Sequence, residues 1–442
     1  MTDVVTAFLR NGGELLLVRR SDAVGTYAGL WGGVSGYVEP GTDDPLEDAR
    51  RELREEVGVA EATLVRRGEP VDVVDGEREW TVHPFLFDVA TRAVEPNEEL
   101  AEWAWLPAPA MRERETVPAL WAAYRRVAPS VETVAADKTH GSAWLSLRAL
   151  EVLRDEAAVA GAEGEGDWDA VAEVARDLLA ARPGMAAVAN RVNRAMAVAG
   201  GDVENVDPGE GATPGGLESP PGTPAAVVES AQATLRAAVD ADERAAATAA
   251  DVIDGLRDGD DSPLVATLSR SGTVTEALLA ARPRVLIGES RPAGEGADVA
   301  EQLATAGLAV TLTTDAALAW AFDAAAGTPT PDAVLVGADT VLPDGSVVNK
   351  VGTRALALAA ARAGVPVYAV AARDKISPDA TVHEASGPGG HLPAPAGVAV
   401  WNPLFDRTPA DCVDVVVTEV GVLDAGEVGG VADRQRVPAE WE

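Results

Sequence analysis

The stretch Gly36 to Val59, reading GYVEPGTDDPLEDARRELREEVGV, constrains this chain more than any other. Leu46, Ala49, Leu53 and Val57 recur at helical spacing, which predicts a helix over 46–57 with that stripe against a core. Asp43 and Asp44 offer an N-cap, Pro45 suits the first turn, and Gly58 stands where helices stop. The opposite side carries Glu52, Glu55 and Glu56, neighbours on a helical surface. Three carboxylates left alone repel one another. A divalent cation relieves this, and Mg²⁺ (or Mn²⁺) suits carboxylates combined with phosphate oxygens. For three glutamates alone, a solvated acidic helix is the plain alternative.

The surroundings favour the metal. The stretch resembles the Nudix box, G-x5-E-x7-R-E-U-x-E-E-x-G-U with U aliphatic, whose second half is filled by Arg51, Glu52, Leu53, Glu55, Glu56, Gly58 and Val59. The first half departs: Gly36 lies one residue further from Arg51 than the pattern has it, and Thr42 or Asp43 stands at the first glutamate. The resemblance implies an α/β/α sandwich that hydrolyses a nucleoside diphosphate linked to another group. Glu52, Glu55 and Glu56 would be metal ligands, with Glu55 and Glu56 also in the catalytic set. In Glu99–Trp105, where many such enzymes place an extra ligand or base, Glu99 is the first choice and Glu102 the second. Bound metal polarises the phosphorus and acidifies water, a further carboxylate accepts the water's proton, and Arg51 can pair with Glu55 four residues on.

Composition sets limits. The 442 residues suffice for two or three domains, and the net charge is −35 with three lysines, Lys138, Lys350 and Lys375. Such acidity resembles proteins of salt-loving archaea, where salt screens self-repulsion. It argues against a broad nucleic-acid surface, as the 4% aromatic content does against stacking platforms. The single Cys412 excludes an internal disulfide and, with no apolar run of spanning length, points to a cytoplasmic protein without a membrane segment.

The first domain, 1–128, reads to about residue 110 as strands around the one helix, with 107–130 a Pro- and Arg-containing passage into a helical region. Val4–Arg10 and Glu14–Arg19 flank the Asn11-Gly12-Gly13 turn, and Trp80–Val89 forms a strand that Pro84 demotes to an edge or a bulge. Leu30–Gly36 supplies backbone flexible enough to approach a diphosphate. Residues 129–260 read as helices over Leu145–Leu153, Trp168–Ala181, Met185–Val198 and Ala225–Leu256, with 200–224 as a disordered loop. His140, with no second His or Cys nearby, reads as a capping or packing residue.

From 261 to 442 short β-branched runs alternate with alanine-rich helices, the pattern of a doubly wound, Rossmann-like parallel sheet. Polar residues collect after the strands, where such sheets bind ligands: Ser269-Arg270-Ser271, Arg291, Thr314-Asp315 and Asp339. Asn349-Lys350 precedes a helix whose free N–H groups suit a phosphate. No G-x-G-x-x-G follows the first strand, so a dinucleotide cofactor is not indicated.

Five ordered pieces, TLSRSGTV, ESRP, GAD, NKVGT and NPLFDRTP, resemble the alpha/beta/delta subunits of translation initiation factor 2B. That family includes methylthioribose-1-phosphate isomerase and ribose-1,5-bisphosphate isomerase, and the resemblance covers roughly residues 130–442. It implies a catalytic aspartate at Asp339 and a catalytic cysteine at the position of Ser269, whose hydroxyl is a far weaker acid than a thiol. Ser269, Arg270, Ser271, Arg291, Asn349 and Lys350 become candidates for holding a phosphorylated small molecule, and association into homo-oligomers is implied. The leading reading is a Nudix hydrolase fused to a binder of a phosphosugar or nucleotide. A non-catalytic assembly or sensor protein of the initiation-factor type is the alternative, and a ribose-1,5-bisphosphate isomerase a third.

Overall fold

A computed structural model describes residues 2–41, 44–162, 168–202, 217–257, 259, 261–323, 325, 327, 329–383, 387, 394–395 and 397–436. Thr42, Asp43 and the middle of the expected 200–224 loop lie outside these residues. The chain forms two compact units, one of Met1–Ser130 with Arg154–Ala162, the other of Val131–Leu153 with Glu163–Glu442.

In the first unit the strands are β1 (Thr2–Asn11), β2 (Glu14–Arg20), β3 (Trp31–Gly32), β4 (Val34–Tyr37), β5 (Thr63–Arg67), β6 (Val71–Asp75), β7 (Arg78–Asp88) and β8 (Leu100–Leu106), with helices α1 (Pro45–Val57) and α2 (Leu120–Val127). The Asn11–Gly13 turn works because Gly12 and Gly13 both take positive φ. β1 and β7 run parallel at the centre. One edge of β1 is shared by β4 and β2, and one edge of β7 by β6 and β5.

Strand alternation sends Val5, Ala7 and Leu9 to one face, where Ala49, Leu53 and Val57 of α1 cover them. Phe8, Leu15, Leu17 and Leu86 lie under Leu120, Ala123, Tyr124 and Val127 of α2 on the other. The result is an α/β/α sandwich. Pro84 is neither at an edge nor in a bulge of the central pairing, since β7 pairs on both sides. It sits where β7 changes partner from β6 to β5, so its missing N–H breaks no ladder there.

The second unit begins with helices α3 (Val131–Ala136), α4 (Ser142–Ala162, whose C-terminal end counts with the first unit), α5 (Trp168–Ala181), α6 (Ala186–Gly200) and α7 (Pro224–Asp254). Alternation follows through β9 (Leu264–Leu268), α8 (Gly272–Ala281), β10 (Arg284–Gly288), α9 (Glu295–Thr305), β11 (Val310–Thr313), α10 (Asp315–Leu318), β12 (Ala333–Gly337), β13 (Thr340–Val341), β14 (Val347–Lys350), α11 (Thr353–Ala363), β15 (Val367–Val370), β16 (Phe405–Thr408), β17 (Val415–Thr418), β18 (Gly421–Leu423) and α12 (Ala425–Gln435). The main sheet has the order β11-β10-β9-β12-β15-β17-β18, parallel except for β18. The chain runs outward from β9 one way and from β12 the other, so the crevice for a ligand opens beyond the ends of those two strands. A small antiparallel sheet, β13-β14-β16, stands at that crevice; the sequence reading did not foresee it.

Candidate active site

In the first unit the site is built on α1. Asp44 caps its start by accepting from the Leu46 N–H at 3.1 Å, and Gly58 ends it in the left-handed region. Glu52 is half-buried and Glu55 exposed, but Glu56 is only 3% exposed. The expectation of one carboxylate side opposite the apolar stripe is therefore corrected. Glu56 follows Leu53 by three residues and adjoins Val57, so it lies on the flank of the buried stripe.

Burial pushes the Glu56 carboxyl up to about 8; Glu52 and Glu99 push the same way, while Arg20 and a backbone hydrogen bond from Ser35 oppose. Glu52 is raised by burial against the Arg51 hydrogen bond, with Glu55 and Glu99 adding to the rise. The four acids thus feel one another. Glu99 is exposed, while Glu102 is turned to Arg19 at 3.6 Å. This favours Glu99 of the two.

Arg51 organises the exposed side of α1. Its guanidinium meets Glu52 at 2.7 Å, Glu39 at 2.9 Å and Glu55 at 3.8 Å, and also pairs with Asp48. Glu52 in turn lies against Gly36, where a Cβ would stand 2.0 Å from its Oε1. The glycine of the box is required by this contact rather than by an unusual φ. Among the described residues no three His, Cys, Asp or Glu side chains are already gathered as a metal cage. The donor chemistry fits a hard cation nonetheless. These are carboxyl oxygens, one of them buried and held toward its protonated form, beside glycine-rich backbone.

A cleft missed by the sequence reading lies on the sheet face away from α1 and meets the acids only through Gly36, which lies against Glu52, and Arg20, whose charge acts on Glu56. Val4, Thr6, Ser35, Tyr37, Trp80 and Val82 line it together with Arg20, Gly33 and Gly36. Register explains the grouping: Val4 lies opposite Tyr37 and Val82, and Thr6 opposite Ser35, so these side chains share one face. Tyr37 and Trp80 place their ring centroids 6.1 Å apart, and Tyr37 is exposed. The clue in the sequence was the alternation along β1, whose face away from α1 reads Thr2, Val4, Thr6.

In the second unit the expected residues follow the strands as anticipated. Ser269 follows β9 at φ 66°, and its N–H donates to Ser290 Oγ at 2.5 Å. Asp315 holds the segment after β10, accepting from the N–H groups of Ser290 (2.8 Å) and Arg291 (2.6 Å). Ser271 caps α8 and lies against Gly337, where a Cβ would meet it at 2.7 Å. Asp339 stands beside Asn349, since its N–H donates to the Val348 carbonyl at 3.0 Å, and one carboxylate oxygen accepts from the Ser142 N–H at 3.4 Å. Asn349 donates to Thr353 Oγ1 at 3.0 Å.

Three features of the expected phosphate-holding set have partners within the chain. Arg270 turns outward, donating to the Thr139 carbonyl and standing 3.8 Å from Asp298. The start of α11 is not free for phosphate, because Asp406 accepts from the N–H groups of Gly352 (2.7 Å) and Arg354 (3.0 Å). Lys350 is not an unpaired cation but meets Glu295 at 2.6 Å. Lys375 is 4% exposed; burial and Arg191 lower its pKa while Asp242 and Asp339 oppose this, so its side chain lies near Asp339.

Comparison with known proteins gives a family match for each part of the chain. Residues 1–131 match the NUDIX domain, and residues 138–425 match the Initiation factor 2 subunit family. A probable bifunctional methylthioribose-1-phosphate isomerase/methylthioribulose-1-phosphate dehydratase of Nocardia farcinica is 44% identical over 151 residues, covering 31% of this chain and 27% of the relative. The ribose 1,5-bisphosphate isomerase of Archaeoglobus fulgidus is 38% identical over 150 residues, covering 32% of this chain and 46% of the relative. The chain thus spans less than half the length of these curated relatives. Among solved structures, the translation initiation factor eIF-2B of Pyrococcus horikoshii OT3 superposes with a TM-score of 0.51 at 25% identity, covering 66% of this chain and 94% of that one.

Proposed function

The chain belongs to the Initiation factor 2 subunit family and carries a NUDIX domain ahead of that region, and from this pairing we propose a two-part protein of phosphate-ester metabolism. The first unit hydrolyses a nucleoside diphosphate linked to another group. The second unit binds a phosphorylated sugar or nucleotide. The observation that carries the hydrolase reading is Glu56, a buried carboxyl pushed up to about 8 beside Glu52 and Glu99 within the box. A buried acid with a raised pKa beside further acids is a kind of group that working sites contain.

Glu52, Glu55 and Glu56 would hold Mg²⁺ or Mn²⁺, which when bound polarises the phosphorus and acidifies a water. Arg51 orients Glu52. The Gly33–Gly36 backbone lets the diphosphate come close, and Arg20 supplies positive charge at that end of the cleft. Tyr37 and Trp80 cover the nucleoside end. Glu99, exposed and near both Glu52 and Glu56, accepts the proton of the attacking water. In the second unit Ser269 in the place of a thiol favours binding over isomerisation.

Purified full chain with Mg²⁺ in molar KCl should release nucleoside monophosphate from a panel of nucleoside diphosphate derivatives. The double substitution Glu55→Gln, Glu56→Gln should abolish release. Equal turnover by the double variant rejects the assignment.

A further inference from the structure

The first unit holds a serine that no reading above has used. β2 and β8 pair evenly as far as Arg19 opposite Glu102, then slip by one residue, so that Arg20 lies opposite Leu100. Ala101 is the extra residue, and such a slip re-aims everything beyond it. Because of it the Ser21 N–H meets Glu99, donating to the Glu99 carbonyl at 2.7 Å. Ser21 Oγ donates to the Glu98 carbonyl, also at 2.7 Å. The Glu99 N–H in turn donates to Asn97 Oδ1 at 2.9 Å. The Glu99 backbone is thus fixed on both sides, although its side chain is exposed.

Ser21 also begins the loop of residues 21–30, which reaches the cleft, where Thr26 and Tyr27 are part of the lining. Arg20 closes this loop on itself. Its N–H donates to the Leu30 carbonyl at 3.0 Å, its carbonyl accepts from the Gly29 N–H at 2.9 Å, and its Nε donates to the Thr26 carbonyl at 3.0 Å. Tyr27 takes φ 55°, a left-handed backbone that an aromatic residue keeps only where its surroundings hold it. The holding groups are Asp75, whose Oδ2 accepts from the Tyr27 hydroxyl at 2.9 Å, and Arg78, whose guanidinium lies 5.8 Å from the ring centre. Asp75 ends β6 and Arg78 begins β7, the hairpin that gives Val73 and Trp80 to the cleft. One end of the loop therefore holds the Glu99 turn, and the other is latched to a wall of the cleft.

Resting on the reading that Glu99 accepts the proton of the attacking water, we propose that Ser21 is the positioning residue for Glu99, and that the 21–30 loop, latched by Tyr27 on Asp75, ties the placing of Glu99 to the cleft. An exposed glutamate is aimed by its backbone, and a small misplacement of a proton acceptor costs rate steeply. Ser21 touches no substrate in this account; it acts through the Glu98–Glu99 carbonyls alone.

The test takes the full chain in molar KCl with Mg²⁺ and offers ATP, ADP-ribose and diadenosine diphosphate, with kinetics read on the fastest of the three. Ser21→Ala should lower kcat about fivefold and leave KM in place. Ser21→Thr keeps the hydroxyl and should restore kcat. Tyr27→Phe loses only its hydroxyl and should also lower kcat, about threefold. Both act through Glu99, so the double variant should fall no further than Ser21→Ala. Amide exchange of the metal-free chain in EDTA reads the same contacts without turnover. Residues 97–101 should exchange faster in Ser21→Ala and in Tyr27→Phe than in wild type, while β1 and β7 stay unchanged. Unchanged kcat in Ser21→Ala, Ser21→Thr no better than Ser21→Ala, effects of the two positions that multiply, or equal exchange of 97–101 in all three proteins overturns this inference alone. Absence of turnover by wild type overturns the hydrolase reading and this inference with it.

Discussion

Glu56 offers the sharpest perturbation. With a carboxyl at about 8 in the folded chain against an ordinary 4.5, the folded state binds this proton more readily than the unfolded state over the window between. The raised value fixes the sign: the stability is fully present below pH 4.5 and drains away as pH rises toward 8. One pKa unit corresponds to about 1.4 kcal/mol, so the loss over the window is about 4–5 kcal/mol. At 3% exposure solvent screens little of it. Glu56→Gln is a neutral near-isostere and removes this dependence. Thermal or urea unfolding of metal-free chain, in EDTA and molar KCl from pH 5 to 9, should show the first unit of wild type falling steeply relative to Glu56→Gln. The variant should be the more stable of the two above pH 8. The comparison cancels the general repulsion of an acidic chain, which both proteins share. Parallel pH profiles for the two would refute the account of Glu56.

Other consequences are independent of that one. Gly36→Ala places a methyl 2.0 Å from Glu52 Oε1, so the Glu52 side chain must swing away, and turnover should fall at least about tenfold with little change in stability; unchanged steady-state kinetics would count against the contact. In the second unit Asp374 is buried between Arg191, at 2.9 Å, and Arg194. Burial opposes its charge, but the two guanidinium groups outweigh this and hold the carboxyl well below the usual range. Asp374→Asn strips both of a counter-charge and should cost about 3–5 kcal/mol, read as a lowered midpoint of the second unit. In wild type the same depressed carboxyl contributes stability above its unfolded value near 3.8 that is lost only as pH falls below it.

Much of this was legible in local pattern. The caps and period of α1 are written within 44–58, and the alternation after 261 locates β9, β10 and α8 to within a residue. What escaped is non-local. Asp406 occupies the start of α11 from 52 residues away, and no helix-start signal in NKVGT reveals it. The partner change at Pro84 depends on where β5 and β6 end along β7. Glu56 looked solvated because a glutamate beside two other acids on a helix usually is; Ser35 of β4, whose backbone hydrogen-bonds to it, stands far earlier in the chain. Glu295 reads as an ordinary first-turn acid until Lys350 is found against it.

The most direct measurement of the central claim is the proton released when Mg²⁺ binds. At pH 7 a carboxyl titrating at about 8 is about 90% protonated, and a bound divalent cation demands its charged form. Calorimetry of Mg²⁺ binding in buffers of differing ionisation heat should therefore show close to one proton released per chain in wild type and close to none in Glu56→Gln. Mg²⁺ binding without proton release in wild type, or the same release from both proteins, would contradict it.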